Sequence, residues 1–162
     1  RERCTDTTTF CFGGNVTDVK PGFFATPEQL PETGPGYSGE LECPAGSKCV
    51  RGGRIKCDSA ASYCGAGSTG TTAVDAGHYA IPEFVEGEVH SGYIDQTPGP
   101  AGYYCEFGIK RECTDPTKYC PAEATYPVPV SEGHFAIPEG GPRFEGQRPC
   151  ADGYTCARGQ QV

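Results

Sequence analysis

The chain has 162 residues, a formal net charge of −8, eleven cysteines, and neither methionine nor tryptophan. Leu, Ile, Val and Phe supply only 24 residues, whereas Gly and Pro supply 39, so the chain lacks the apolar material of an ordinary hydrophobic core. The scattered acidic charge disfavours binding to nucleic acid, and no apolar run is long enough to predict membrane insertion. We therefore expect disulfides, each worth roughly 3 kcal/mol, to stabilise the fold in an oxidising, extracellular compartment.

Residues 1–42 contain the C-terminal half of a cysteine-rich module, with Cys4 and Cys11, followed by a connector rich in proline and glycine. Asn15, the only asparagine, begins an Asn-Val-Thr acceptor sequence for an N-linked glycan. We expect a covalent glycan at Asn15. The clusters Ser68–Thr72 and Thr125–Pro129 are candidates for O-linked sugars.

The rest of the chain repeats this pattern. Residues 43–98 hold a complete module with four cysteines and a loop, and residues 99–149 hold a module in which Gly99 replaces the first cysteine. Residues 150–162, with Cys150 and Cys156, match the N-terminal half of a further module. A period of about 54 residues predicts tandem small modules instead of a single domain.

Short structural elements are predicted inside each module. Strands are expected at Phe23–Pro27, His78–Pro82 and His134–Pro138, each introduced by a glycine and ended by a proline. Asp115 and Pro116 predict a single capped helical turn between Cys113 and Cys120. The predicted class is small and disulfide-rich: tandem cysteine-knot-like modules with short β-strands and hairpins, little helix, and an elongated array.

Loops of different length, Phe84–Pro98 and Gly140–Pro149, separate the modules. Recognition usually resides in loops on a rigid scaffold, so these are the first candidates for specific contacts, although a role as plain spacers fits equally well.

Histidine and aromatic side chains are interpreted as packing groups. His78 and His134 occupy the repeat position that Phe23 occupies in the first module, and phenylalanine can neither bind a metal nor transfer a proton. His90 stands alone in a loop. Six rings are expected to cover the disulfides: Phe10, Tyr63, Tyr119, Phe24, Tyr79 and Phe135.

No catalytic constellation occurs in the sequence, and no cofactor or metal site is expected. A zinc protein is the competing interpretation of the cysteines. However, no Cys-x-x-Cys pair occurs, and five, seven and six residues separate the four cysteines of the complete module. Because the sequence contains no catalytic constellation, we also expect no enzyme activity.

Four cysteines allow three pairings, of which the interlaced pattern is favoured slightly over local pairs. Interlacing predicts the bonds Cys43–Cys57, Cys49–Cys64 and Cys105–Cys120, and it leaves Cys113 unpaired. Local pairing leaves Cys105 unpaired instead. Under interlacing, four cysteines near the termini have no partner within their own half-module: Cys4, Cys11, Cys150 and Cys156. They find partners only in a continuing chain or in a neighbouring copy. Head-to-tail contacts of that kind do not close and would propagate into a filament.

The Cys-Pro-Ala-Gly-x-x-Cys opening at Cys43, the Gly-Pro-Ala-Gly-Tyr-Tyr-Cys segment ending at Cys105, and the following Cys-x6-Cys step resemble ephrin-receptor-like cysteine-rich repeats. Such repeats occur in large secreted and surface proteins, including mastigoneme-type filament proteins of protists and algae. The resemblance implies a disulfide scaffold, an extracellular location and tandem arrays, and it transfers no catalytic residue.

These observations lead us to expect an extracellular structural protein, the repeating unit of a glycosylated fibre or cell-surface filament. Its partner would be itself, either as copies joined head to tail or as a continuation of the same chain. The alternative is a receptor or adhesin ectodomain that binds a ligand through the loops between modules.

Overall fold

A computed structural model of the chain describes residues 3–27, 36–89 and 92–162. The chain divides into two compact units, Arg1–Ala73 with Val89–Asp95, and Val74–Glu88 with Gln96–Val162. In the described residues all regular structure is β-strand, arranged as short antiparallel hairpins and crosslinked by disulfides. This confirms the predicted class of small disulfide-rich hairpin modules.

Eighteen short strands form in the described residues. In chain order they are β1 (Thr9–Phe12), β2 (Asn15–Asp18), β3 (Phe23–Pro27), β4 (Tyr37–Glu42), β5 (Ser47–Val50), β6 (Gly53–Lys56), β7 (Ser62–Tyr63), β8 (Thr72–Ala73), β9 (His78–Ile81), β10 (Asp95–Pro98), β11 (Tyr103–Glu106), β12 (Ile109–Glu112), β13 (Lys118–Tyr119), β14 (Val128–Pro129), β15 (His134–Ile137), β16 (Gly146–Pro149), β17 (Cys156–Ala157) and β18 (Gln160–Gln161).

Three kinds of hairpin each occur three times among these strands. Opening hairpins follow the first cysteine position of a repeat, which Gly99 occupies before β11: β5–β6, β11–β12 and β17–β18. Closing hairpins contain or adjoin the fourth cysteine: β1–β2, β7–β8 and β13–β14. Aromatic hairpins follow: β3–β4, β9–β10 and β15–β16. The repeat seen in the sequence is therefore a repeat of backbone structure.

The opening hairpins share one turn chemistry. Their two central residues both have positive φ, as a type I′ turn requires, and a glycine fills the second place: Arg51–Gly52, Phe107–Gly108 and Arg158–Gly159. This turn matches the twist of the flanking strands, so strands of only two to four residues can pair across it.

The aromatic strands form where the sequence predicts them. Gly22, Gly77 and Gly133 precede β3, β9 and β15 with φ of +80°, +75° and +71°, as expected for glycine. Each strand contains one buried alanine, at Ala25, Ala80 and Ala136. The alanines leave room for the close backbone contact described below.

The helical turn predicted between Cys113 and Cys120 is wrong. Pro116 and Thr117 form the centre of a β-turn, in which the Lys118 N–H donates to the Asp115 carbonyl at 3.0 Å. The Asp115 carboxylate accepts the Thr117 hydroxyl at 2.6 Å and the Thr117 backbone N–H at 2.9 Å. Such local bonds offer the backbone an alternative to a helix, and they lower the pKa of Asp115.

The interlaced disulfide pattern is also wrong. All five bonds join cysteines that are neighbours in sequence: Cys4–Cys11, Cys43–Cys49, Cys57–Cys64, Cys113–Cys120 and Cys150–Cys156. The bonds predicted from Cys43 to Cys57, from Cys49 to Cys64 and from Cys105 to Cys120 do not form. Cys113 is paired, and Cys105 is the free cysteine of the described residues. The bonds Cys43–Cys49 and Cys57–Cys64 close two separate loops, one after the other along the chain. Because no disulfide crosses another, the term cysteine knot does not apply.

Local pairing also removes the disulfide argument for head-to-tail assembly. Cys4 and Cys11 bond to each other, and Cys150 and Cys156 do the same. Each terminal half-module therefore closes its own crosslink and needs no cysteine from a neighbouring copy.

The core consists of disulfides, alanines and two rings. Tyr93 is 1% exposed and Phe144 is 6% exposed, and both lie in segments that the sequence identifies as variable loops. The same segments end in strands β10 and β16. Large parts of Phe84–Pro98 and Gly140–Pro149 are thus structural.

Candidate functional site

Successive repeats meet at a backbone contact that occurs three times in the same form. The N–H of the buried alanine in an aromatic strand donates to the carbonyl of the turn glycine in the next opening hairpin. We call this contact the joint, and its three examples are Ala25 to Gly52 at 2.9 Å, Ala80 to Gly108 at 2.9 Å and Ala136 to Gly159 at 2.8 Å.

The turn glycine of the joint is also enclosed from the other side. A Cβ built on Gly52 would collide with the carbonyl oxygen of Thr7, and a Cβ built on Gly159 would collide with that of Pro116. Thr7 and Pro116 occupy the same position in their closing loops. The preceding repeat therefore holds the turn between its closing loop and its aromatic strand, and only glycine fits.

An aromatic residue six positions before the first cysteine position links the two halves of the closing loop. The Tyr93 N–H donates to the Cys57 carbonyl at 2.8 Å, while the Tyr93 carbonyl accepts from the Cys64 N–H at 3.0 Å. Phe144 makes the same pair of bonds with Cys113 and Cys120, both at 2.9 Å.

Tyr37 donates in the same way to Cys4 at 2.9 Å. The fixed spacing of Tyr37, Tyr93 and Phe144 from Cys43, Gly99 and Cys150 is the sequence signal that could have identified these rings. The six rings expected to cover the disulfides are all half-buried.

A side-chain clamp fastens each aromatic hairpin. The backbone N–H of Asp75 donates to Gln96 Oε1 at 2.7 Å, and Gln96 Nε2 donates back to the Asp75 carboxylate at 2.5 Å. Ser131 and Gln147 repeat this exchange at 2.7 and 3.0 Å.

In the first repeat the clamp is an ion pair. The Lys20 N–H donates to Glu40 Oε2 at 2.8 Å, and the Lys20 ammonium lies 2.7 Å from Glu40 Oε1. These hydrogen bonds to the Lys20 side chain and backbone hold the pKa of Glu40 below its ordinary value.

Cys105 lies where the second cysteine of an opening loop lies in the other repeats. The thiol is 3% exposed, and burial raises its pKa although the nearby Lys110 charge opposes the rise. A thiol that is both buried and protonated is a poor nucleophile and a poor metal ligand. We therefore interpret Cys105 as a packing group.

The opening hairpin β11–β12 takes part in a stack of cationic and aromatic side chains. Lys110 Nζ lies 4.7 Å from the ring centre of Tyr79 and 5.0 Å from that of Tyr103. The Arg143 guanidinium lies 5.0 Å from the ring centre of Tyr103. Glu83 pairs with Lys110 at 2.9 Å, so the charges of the stack are partly compensated. These contacts stabilise the hairpin β11–β12.

The two repeat histidines make the same local contact. The Nδ1 atoms of His78 and His134 lie 3.2 and 3.0 Å from the backbone carbonyls of Ala76 and Glu132, which fits a protonated Nδ1 that donates. Both residues are half-buried, and each is the first residue of an aromatic strand. His90 lies outside the described residues.

Asn15 lies at the start of β2, where all four residues are exposed. The threonines of the Ser68–Thr72 cluster are exposed too. In the Thr125–Pro129 cluster, Tyr126, Val128 and Pro129 are exposed, whereas Thr125 is half-buried.

Two shallow grooves border joint glycines. One groove has a volume of about 300 Å³, and its lining includes Ala136, Phe144 and Gly159. The other has a volume of about 250 Å³, and its lining includes Lys20, Arg51 and Gly52.

Within residues 3–27, 36–89 and 92–162, no three His, Cys, Asp or Glu side chains converge on a possible metal site. The same residues contain no helix long and apolar enough to cross a membrane.

The architecture has clear environmental requirements. Five disulfides indicate an oxidising environment, extracellular or secreted, because such bonds are reduced in the cytosol.

Comparison with models of protein families, with curated proteins and with solved structures gives no match to this chain.

Proposed function

We propose that the chain is an extracellular structural protein whose repeats build a glycosylated fibre or cell-surface filament. Its partner is itself, as further copies or as further repeats of the same chain. The observation that carries the proposal is the joint, because one contact recurs at Gly52, Gly108 and Gly159.

The chemistry of the joint suits a repeating structure. Only backbone groups and small residues take part, so the contact is independent of the sequences of the loops around it. In repeat proteins of this kind each unit contacts its neighbours, and the stability grows with each interface added. The resemblance to ephrin-receptor-like repeats supports the same assignment.

A receptor or adhesin ectodomain is the second candidate. The observation in its favour is an exposed apolar segment after β9, where Phe84 is 43% exposed and Val85 is 46% exposed. Exposed apolar side chains in a loop are typical contacts for a protein ligand.

The state of the native material distinguishes the two functions. We would image the purified protein by negative-stain electron microscopy and then measure its mass after full reduction and deglycosylation. Filaments support the structural function, either with a polypeptide of 17.1 kDa or with a longer one that contains further repeats. Soluble single copies at all concentrations would contradict it and favour the receptor.

A matched pair of glycine variants tests whether the joint matters for assembly. Gly159→Ala places a methyl group against the Pro116 carbonyl, whereas Gly153→Ala, also at positive φ, meets no atom within 4 Å. We expect Gly159→Ala to shorten or abolish the filaments and Gly153→Ala to preserve them. Equal effects of both variants would exclude the joint as the basis of assembly.

A further inference from the structure

The first closing hairpin places the glycan acceptor and a phenylalanine on the same face. In the β1–β2 ladder, Phe12 pairs with Asn15, and Phe10 pairs with Thr17. Directly paired residues of an antiparallel ladder point to one side, and residues two apart along a strand do the same. Both Phe rings and both functional residues of the acceptor sequence therefore share a face. Cys11 and its partner Val16 occupy the opposite face.

Among the residues that the structure describes, little covers the side chain of Phe12. Its ring is 74% exposed, the most of any phenylalanine except Phe107 at 76%. The turn beside it is formed by Gly13 and Gly14 at φ of +58° and +86°, and no atom lies within 4 Å of a Cβ built on either glycine. The space above Phe12 and Asn15 is therefore open.

The combination is specific to this hairpin. The residues that follow the fourth cysteine in the other two repeats are Gly65 and Pro121, where the first repeat has Phe12. Neither of those repeats contains an asparagine. An exposed aromatic ring thus occurs where a glycan acceptor occurs, and the two are cross-strand partners about 5 Å apart at Cβ.

We propose that Asn15 carries an N-linked glycan whose first N-acetylhexosamine packs on the ring of Phe12. In the transfer, a bond forms between Asn15 Nδ2 and the anomeric carbon of the sugar. The bond from that carbon to the diphosphate oxygen of a polyprenyl-diphosphate sugar donor breaks, and Nδ2 loses one proton. The C–H face of the sugar then covers the electron-rich face of the ring.

The proposal rests on secretion, which the disulfides indicate, and is independent of filament formation. It gives Phe12 a function that the protein part alone does not provide. By itself, an apolar ring at an exposed hairpin tip contributes little to the stability of the fold. Once a sugar covers the ring, the apolar area removed from water stabilises the hairpin.

The test uses the full chain secreted from a eukaryotic host. Intact mass gives the occupancy of Asn15, and NMR gives the shift of the N-acetyl methyl signal, which a ring current moves upfield when the methyl lies over an aromatic face. Three variants are compared with the wild type. Phe12→Ala removes the ring, Val16→Ala removes an apolar group that is 65% exposed on the opposite face, and Thr17→Ala destroys the acceptor sequence.

We expect an occupied Asn15 and an upfield methyl signal in the wild type and in Val16→Ala, no glycan in Thr17→Ala, and a glycan with an unshifted signal in Phe12→Ala. Enzymatic removal of the glycan should speed amide exchange in β1 and β2 by about two- to tenfold in the wild type and leave Phe12→Ala unchanged. An unoccupied Asn15 in the wild type, or an upfield signal that persists in Phe12→Ala, would overturn the proposal.

Discussion

The thiol of Cys105 fills the space into which a side chain at position 99 would project, because a Cβ built on Gly99 lies 2.5 Å from Cys105 Sγ. In the other repeats this place holds a disulfide, Cys43–Cys49 or Cys150–Cys156. The backbone around Gly99 is also preserved, since its N–H donates to the Gly77 carbonyl at 2.8 Å. The repeat of residues 99–149 thus lacks one of the two sulfur atoms, and the remaining thiol occupies the place of the bond.

Gly99→Cys should restore the missing crosslink. The new bond to Cys105 would close a loop of the same length as Cys43–Cys49, and we expect it to raise the free energy of unfolding by about 2 kcal/mol. Thiol titration of the unfolded, unreduced protein checks the bond, and thermal unfolding checks the stability. Gly99→Ala is the control, and it should destabilise because its methyl group meets the thiol without bonding. A titratable thiol remaining in Gly99→Cys would refute the prediction.

Tyr93 should be among the most important side chains for stability. Tyr93→Ala removes a ring that is 1% exposed, and we expect it to cost about 3–5 kcal/mol. Tyr154 is 58% exposed, so Tyr154→Ala should change the stability by less than about 0.5 kcal/mol. Chemical unfolding of both variants makes the comparison. Similar losses in the two variants would show that Tyr93 does not form a core.

Equivalent glycines before the aromatic strands should differ in their tolerance of a methyl group. Gly133→Ala meets no atom within 4 Å, so only its φ of +71° opposes the substitution, at about 1–2 kcal/mol. A Cβ on Gly77 would also collide with the Glu123 carbonyl, which adds about 1–3 kcal/mol. Denaturant unfolding of Gly77→Ala and Gly133→Ala measures the difference. Equal losses would show that the collision is relieved by a small backbone shift.

The clamp between Lys20 and Glu40 should weaken in acid. The folded protein holds the pKa of Glu40 below its ordinary value of 4.5. The stabilisation is therefore complete above pH 4.5, and it is lost as the pH falls through the lower, folded pKa. NMR should show the Lys20 amide signal titrating in that range.

Glu40→Gln should abolish this titration and keep the clamp, because Gln96 and Gln147 form it in the other repeats. Glu42→Gln, on the same strand, serves as the control and should leave the Lys20 profile unchanged. A Lys20 profile that persists in Glu40→Gln would assign the titration to another group.

The sequence predicted the parts of the fold that depend on local chemistry. The strands after Gly22, Gly77 and Gly133 could be identified because a left-handed glycine, an aromatic pair and a proline mark their limits within a few residues. The prediction of a helical turn was wrong because Asp115 can cap a helix or accept hydrogen bonds within a turn, and the local sequence fits both.

Contacts between distant residues were harder to predict. Disulfide connectivity depends on which cysteines the chain brings together, and the spacing alone fits both patterns. Tyr93 and Phe144 were missed because the loops around them differ in length, which hides a constant distance to the following cysteine position. The joint was missed because it consists of backbone atoms, and the only trace it leaves is a glycine and an alanine.

The local pattern of crosslinks decides how the chain behaves under tension. Each disulfide spans a sequence separation of only six or seven residues, so it withholds just that loop from a pulling force. Interlaced bonds would have withheld the whole segment from Cys43 to Cys64 as one crosslinked piece. Here the hairpins and joints outside the loops can be drawn out once their hydrogen bonds break, one repeat after another. Such a chain lengthens under load without rupture of a covalent bond.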